Sequence, residues 1–476
     1  MYLKVLLASV AFTMAFATLA SQPTPEERQL LWFNHAQPSV SAMELTSLMA
    51  DLGLRTSSLL NDEELKNIEH TDEHLTQSLL AINHVIIGHQ LNTTKLTYQD
   101  ITAAHAQGTL SALIDGQLPQ FPEVMALRRA ITKMRRLSQT PWPTLPDNFT
   151  PKLGQRHQHI AALVAILVRL GDYRLASPRL WNDYTPQVQQ AIKRFQHRHS
   201  LPANGKLNKE TRKWLALPPA RRLAILQQNL YRWLSMPAVP PEQYVVVNIP
   251  EFTLAYRQHG HTLLTMPVIV GAPATPTPIM VTEIDRITVN PQWVPPASIV
   301  INELLPQVAA SPGLLASQNF HWVSRKNWRD TQPVSSGLND PRAQYRTHLL
   351  VQGPGSANAL GKWRFNIKNN DAIYLHDTPV KHLFSRANRA LSHGCVRLAA
   401  PDKLATLLDA TIQPVSLSAA THHRRLTHPV PTYLNYQTVV EQNGQLHWLQ
   451  DIYHLDDSQF RYTVSQLSAT ERNLMK

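Results

Sequence analysis

Cysteine is almost missing from this chain: Cys395 is the single one in 476 residues, which excludes an intramolecular disulfide. Zinc-finger spacing is absent, and so is any aromatic-basic pattern of the kind that reads RNA. One cysteine with two neighbouring histidines leaves a four-ligand zinc site a ligand short, so no metal and no cofactor are expected. Past residue 20 no unbroken apolar run reaches the ~20 residues that a membrane span needs. Acidic residues are in deficit, with 45 Lys and Arg against 33 Asp and Glu, a formal net charge of +12. Such a balance suits an acidic partner, although solubility alone also accounts for it.

What is present begins with a leader. Met1 to Ala20 reads as a secretory signal: Lys4 supplies the positive start, Val5 to Leu19 is nearly continuous apolar, and Thr18-Leu19-Ala20 offers small residues for cleavage before Ser21. An uncleaved anchor that tethers the protein to the inner membrane is the alternative. A lipoprotein is excluded, because no cysteine lies near the cleavage point. Export makes nucleic acid a poor candidate for the acidic partner. It also sharpens the question of Cys395, since an unpaired thiol invites oxidation in an oxidising compartment.

The length allows two to four domains. Residues 21–140 read as a helical scaffold: Met43, Leu45, Leu48, Met49 and Leu52 recur at near-helical spacing, as do Leu79, Leu80, Ile82, Val85 and Ile86. Asp62-Glu63-Glu64 suits a helix start. His70, His74, His84 and His89 form no ligand pattern and are expected to be solvent-facing or satisfied. Thr140 to Pro146 is proline-rich and reads as a semi-rigid linker. Residues 155–218 carry helical stretches at Ile160 to Leu170, Thr185 to His199 and Asn208 to Leu215, with an Asn204-Gly205 turn between the last two. After the prolines of 237–241 the composition turns to strands, at Tyr244 to Asn248, Thr253 to Arg257, Leu263 to Val270 and Met280 to Val289. Residues 298–346 break that pattern with helical and loop signals, an insertion placed as a lid would be, with Trp322 and Trp328 as its aromatics. Residues 421–476 read as a C-terminal extension with a hairpin at Asn443-Gly444.

The chemistry concentrates at Tyr374-Leu375-His376-Asp377-Thr378 and Ser392-His393-Gly394-Cys395-Val396-Arg397. The attacking form of cysteine is the thiolate, so a thiol of ordinary pKa ~8.5 needs a base or a positive charge beside it. His376, His393 and Arg397 are on hand. Gly394 permits a tight turn, and main-chain N–H groups around it suit an oxyanion. These are the parts of acyl transfer through a thioester. The bland alternative is a small buried cysteine of no chemical consequence.

Ser-His-Gly-Cys-Val-Arg resembles the active-site signature of the L,D-transpeptidases, cysteine enzymes that cross-link bacterial peptidoglycan. Tyr-Leu-His-Asp-Thr-Pro, with its His nineteen positions before the Cys, resembles the companion motif of the large periplasmic members. Val268 to Gly271, Thr277-Pro278 and Asn290-Pro291-Gln292-Trp293 resemble the opening strands of the same domain. Phe195-Gln196, His199, Leu201, Gly205, Leu207 and Thr211 resemble a small three-helix peptidoglycan-binding domain.

The resemblance implies a multidomain α+β protein. Its helical scaffold and three-helix domain would precede a mainly β, sandwich-like catalytic domain over 242–420, capped by the insertion at 298–346. It implies a periplasmic enzyme whose acidic partner is the donor and acceptor stem peptides of the wall, with cell-wall synthesis proteins as further partners. Cys395 is then the nucleophile, His376 the base, and the Asp377 carbonyl the group that orients it. Main-chain N–H groups of Gly394 and Cys395 are the expected oxyanion donors. Arg397, Tyr374, His393 and Ser392 are expected to bind substrate or shape its groove; for Arg397 a structural salt bridge is the alternative. A carboxypeptidase or hydrolase, a lipoprotein-attaching enzyme and a non-catalytic wall-binding scaffold remain alternatives, and the first three share every residue named here.

Overall fold

The computed structural model describes residues 30–35, 37–54, 60, 67–89, 95–174, 182–310, 312–334, 340–412 and 420–456. The expected signal, the acidic run Asp62-Glu63-Glu64, the loop Ser335-Ser336-Gly337 and the expected strand Val415-Ser416-Leu417 lie outside the described residues.

A short strand pair, β1 (Phe33–Asn34) and β2 (Gln37–Pro38), leads into α1 (Val40–Asp51), α2 (Ile68–His89), α3 (Tyr98–Ala106), α4 (Leu110–Asp115) and α5 (Pro122–Ser138). Local chemistry starts these helices. Ser39 accepts from the Ala42 N–H, and Thr97 and Asp100 form a reciprocal capping box at α3. Leu45, Leu48, Leu75, Leu79, Ile101, Leu127 and Ile131 meet in one core. Full burial of each such side chain contributes about 1.5–3 kcal/mol. That core also takes in Leu226 and Leu230 of α9 (Pro219–Trp233), a helix that follows the three-helix domain in sequence but packs on α5.

The three-helix domain is α6 (Gln158–Leu170), α7 (Pro186–Arg198) and α8 (Lys209–Ala216). Its hub is the buried Gln196, whose Nε2 donates to Thr211 Oγ1 (3.1 Å) and the Lys206 carbonyl (2.8 Å) while Oε1 accepts from the Gly205 N–H (2.7 Å). This explains why Gln196, Gly205 and Thr211 recur in one pattern: together they tie the turn to the helices. The proline-rich 140–146 stretch folds back on this domain, with the Trp142 indole donating to the Leu215 carbonyl (3.0 Å) and Arg169 to the Pro141 carbonyl (2.7 Å). The semi-rigid linker expected here is pinned to the domain surface, where its indole and carbonyl find partners.

The sheet strands are β3 (Gln243–Asn248), β4 (Thr253–Gln258), β5 (His261–Gly271) and β6 (Met280–Val289). The insertion then contributes α10 (Ala297–Ile299), a π-helical segment (Val300–Leu304), α11 (Leu305–Ala310), α12 (Pro312–Ser317), β7 (Phe320–Ser324), β8 (Thr331–Pro333), α13 (Pro341–Thr347) and β9 (His348–Gln352). It has its own sheet, β8-β7-β9, and its own core around Val300, Leu315 and Phe320. Trp322 is buried inside that core, whereas Trp328 is exposed.

The chain returns through β10 (Trp363–Ile367), β11 (Tyr374–His376), β12 (Ala390–Ser392), β13 (Val396–Leu398) and α14 (Pro401–Leu408), then β14 (His422–Asn435). The strand order is β12-β5-β13-β11-β10-β6-β14-β3-β4, and β4 also pairs with β5. The expected sandwich is thus one sheet closed on itself, a barrel-like wall around Val245, Leu254, Ile287, Phe365, Leu375 and Val396. Closure removes free edges.

One boundary differs from expectation. β14 begins at His422, inside the region read as an extension, yet it lies between β6 and β3 in the middle of the sheet. Its exposed His422-His423-Arg424-Arg425 start disguised it as a solvent segment. The final hairpin, β15 (Val439–Gln442) and β16 (Gln445–Trp448), turns at Asn443-Gly444 as expected. It docks on the three-helix domain: Arg198 donates to the Leu446 carbonyl (3.2 Å), Ser200 to the Trp448 carbonyl (3.0 Å), and the buried Arg222 guanidinium lies over the Trp214 and Trp448 rings at 5.7 and 5.3 Å.

Candidate active site

β11 and β13 are parallel neighbours, with Leu375 opposite Val396 and His376 opposite Arg397. This register, formed by segments some twenty residues apart, sets the two motifs side by side. Leu375 and Val396 point into the barrel, so the residues that alternate with them face outward.

Cys395 sits half-buried at the end of the turn between β12 and β13. The turn is held by buried hydroxyls. Ser392 Oγ donates to the Cys395 carbonyl (2.6 Å) and accepts from the Gly394 N–H (3.1 Å). Thr277 Oγ1 donates to the Gly394 carbonyl (2.7 Å) and accepts from the Gly271 N–H (2.8 Å). Thr277 N–H in turn donates to Tyr453 OH (3.1 Å), which donates to the Gly271 carbonyl (2.6 Å). Gly394 has φ +116°, a conformation closed to side chains, and a Cβ there would press on Ile373.

Two expectations change on this geometry. The Gly394 N–H is spent on Ser392, so Gly394 shapes the turn, and of the two main-chain N–H groups only that of Cys395 has no partner among the described residues. Ser392 is buried and spends its hydroxyl on the turn, so it positions the cysteine rather than lining a groove.

His376 is buried, and its Nδ1 donates to the Asp377 carbonyl at 2.5 Å, as expected for the orienting group. With Nδ1 carrying the proton, Nε2 holds the free lone pair. Asp377 keeps its carboxylate for the scaffold: Oδ1 accepts from the Thr378 N–H and Lys381 Nζ (2.7 and 2.6 Å), and Oδ2 from the Lys362 N–H (2.8 Å). Gly361 makes room for this carboxylate, since a Cβ there would run into it. Burial pushes the His376 pKa down to about 3, assisted by Arg397, Arg364 and Lys381.

Burial raises the Cys395 thiol, while a backbone N–H of Tyr374 and the charges of Arg397 and Arg364 pull it down. The sulfur faces the Ala372 carbonyl at 3.7 Å, and among the described contacts no hydrogen bond joins it to His376. At rest the two groups are a thiol and a neutral imidazole that share no hydrogen bond.

His393 shares no hydrogen bond with the sulfur among the described residues. It is exposed and meets Glu303 of the insertion's π-helical segment, Nε2 to Oε1 at 2.7 Å. Tyr374 is half-buried, lies under the Arg364 guanidinium at 5.4 Å, and shares a hydrogen bond with Trp293 at the base of the insertion. Arg397 makes no salt bridge among the described residues, and its buried Nε lacks a partner. Sequence reading missed Arg364, Glu303, Thr277 and Tyr453 as parts of this site. The alternation Trp363-Arg364-Phe365-Asn366-Ile367 does put Arg364 and Asn366 on one face, but the pairing of that strand with β11 is a long-range fact. Among the described residues no cluster of three or more His, Cys, Asp or Glu is placed to hold a metal ion.

Residues 242–417 match the family model of the L,D-transpeptidase catalytic domain. Over this segment the chain is similar to L,D-transpeptidase catalytic domains. Residues 156–215 match a family described, provisionally, as a peptidoglycan binding domain. A Haemophilus influenzae protein, provisionally named an L,D-transpeptidase, is 34% identical over 220 residues, which is 44% of either chain. The alignment thus spans under half of that relative. Among solved structures, an L,D-transpeptidase from Mycobacterium smegmatis is 14% identical over 41% of this chain and 59% of its own, at a TM-score of 0.19. An L,D-transpeptidase from Stackebrandtia nassauensis is 16% identical over 63% of this chain and 100% of its own, at 0.21. The L,D-transpeptidase domain match includes every motif residue from Tyr374 to Arg397, but it stops short of β14 and Tyr453, both of which complete this domain in three dimensions.

Proposed function

We propose that the protein is a peptidoglycan L,D-transpeptidase acting outside the cytoplasm. The observation that carries the reading is the lone cysteine held in a rigid, hydroxyl-braced turn beside a histidine whose Nδ1 is locked on the Asp377 carbonyl. The Cys395 sulfur gives its proton to His376 Nε2 and attacks the carbonyl between the third and fourth residues of a donor stem. The Cys395 N–H holds the oxyanion. The C–N bond breaks, the amine of the terminal D-residue leaves with the proton from His376, and a thioester remains. An acceptor amine from the third residue of a second stem then attacks, His376 takes its proton, and the C–S bond breaks to restore the thiol. Arg397 draws the thiol toward its thiolate and faces the stem's carboxylates. The three-helix domain supplies wall affinity, and residues 1–20 direct export to the periplasm, with tethering there or association with wall-synthesis proteins as further readings.

The test is mass spectrometry on full-length protein incubated with tetrapeptide-stem muropeptides, beside Cys395→Ala. Loss of the terminal D-residue with a new dimer in the wild type alone is expected. Tripeptide monomer without dimer would replace transfer by hydrolysis. Unchanged muropeptide in both samples, with muropeptide still bound, would leave a wall-binding scaffold.

A further inference from the structure

The outward face of the sheet beside Cys395 carries an unusual concentration of unpaired arginine. Strand register defines it. In one row stand Arg397 of β13, His376 of β11, Arg364 of β10, Thr288 of β6 and His423 of β14. In the next, two residues along, stand Tyr374, Asn366, Arg286 and Arg425. The intervening Leu375, Phe365 and Ile287 fill the barrel, which fixes these rows to its outside.

The four guanidinium groups, Arg397, Arg364, Arg286 and Arg425, have no carboxylate within ion-pair distance among the described residues. Arg424, next to Arg425 in sequence, does find a carboxylate, in Asp409. Arg364 is half-buried and feels the repulsion of Arg286, and both lower the pKa of His423. Like charges set together without counterions cost stability, so the arrangement implies an anionic ligand.

Its shape follows from sheet geometry. From β13 to β14 there are four strand-to-strand steps of ~4.8 Å, or about 19 Å, the length of about six extended residues at ~3.3 Å each. Between the charges Asn366 Oδ1 accepts from the buried Thr288 hydroxyl (3.1 Å) and from Arg364 Nε (3.3 Å), and Trp293, just before the insertion, shares a hydrogen bond with Tyr374 at the cysteine end. We infer that Arg364, Arg286 and Arg425 extend the Arg397 site into a ladder that binds a peptide bearing several free carboxylates, and that this ladder selects the charged stem over its carboxamide form. The inference rests on the stem-peptide reading of the active site and adds three specificity-determining residues to it. Guanidinium groups accept carboxylate oxygens in bidentate fashion, whereas an amide offers one neutral acceptor and two donors that these positions repel.

The experiment uses full-length Cys395→Ala, so that binding is read without turnover. Calorimetric titration compares a tetrapeptide stem with free side-chain and α-carboxylates against the same peptide with those groups amidated. The free-acid peptide is expected to bind at least about 10-fold more tightly, with a preference that shrinks as salt rises. Arg286→Gln and Arg425→Gln should each weaken the free-acid peptide about 3- to 10-fold and leave the amidated one unchanged. Arg424→Gln, whose partner is Asp409, should change neither. Equal affinity for the two peptides, equal losses for both in the variants, or no binding of either would overturn the ladder. Acylation of wild-type Cys395 by a β-lactam, followed by intact mass, reports separately on the nucleophile. A protein that acylates yet shows no charge preference loses only the ladder, and one with the charge preference but no acylation loses only the transfer reaction.

Discussion

Replacing His376 by Asn should flatten the acid side of the stability curve. The imidazole is buried with a pKa of about 3, against ~6.5 when exposed in the unfolded chain. Between those values the unfolded state binds a proton that the folded state refuses. Stability is therefore complete above pH ~6.5 and is lost as pH falls toward 3. The full difference of about 3.5 units corresponds to ~5 kcal/mol, at about 1.36 kcal/mol per unit. Most of it lies below the range where such a protein is handled. Between pH 7.5 and 5.5 the histidine accounts for about 1 kcal/mol, and down to pH 4.5 about 3 kcal/mol. Asn keeps a donor for the Asp377 carbonyl and has no titration, so it removes the pH dependence while leaving the bond that orients the side chain. Urea denaturation of both proteins at pH 7.5, 5.5 and 4.5 measures the difference in slope. His199, also buried and depressed, is common to both and cancels. Parallel curves for wild type and His376→Asn would refute the buried, neutral imidazole on which the mechanism depends.

Two further substitutions test the supports of the site. Tyr453→Phe removes a hydroxyl that accepts from Thr277 and donates to Gly271, and leaves two main-chain groups without a partner; a loss of about 2–4 kcal/mol is expected by denaturation. Because Thr277 holds Gly394, the same variant should slow β-lactam acylation of Cys395, and an unchanged rate would separate Tyr453 from the cysteine turn. Glu303→Gln removes the charge partner of His393, an exposed pair whose contribution to stability is at most ~1 kcal/mol. It should leave the melting temperature nearly unchanged and increase amide exchange across Val300–Leu304. Equal exchange in both proteins would show that the pair does not hold the insertion.

Much of the site was legible because its parts are local in sequence. The nearness of the two motifs and the bond from His376 to the Asp377 carbonyl depend on the order within two short strings, and strands such as Met280–Val289 follow from β-branched runs that fill a barrel interior. What was hidden depends on pairing across the chain. Arg364 acquires its place from registration against His376, and Tyr453 reaches Gly271 from 182 residues away. β14 was misplaced because its first residues face solvent and read as polar, while its sheet partners lie more than a hundred residues upstream. The bond from the Gly394 N–H to Ser392 was hidden because a motif names the residues of a turn without saying which of its hydrogen bonds are already spent.

The docking of the final hairpin on the three-helix domain has a mechanical consequence. Arg222 stacked between Trp214 and Trp448, with Ser200 and Arg198 bonded to the hairpin backbone, makes the three-helix unit a fixed arm of the catalytic barrel. A flexibly tethered binding module enriches substrate statistically, by an amount that linker length sets. A fixed arm works as a caliper. On the function proposed above, a wall strand gripped by the arm would meet Cys395 at one separation and one angle, so the fold itself would prescribe which neighbouring strand is within reach.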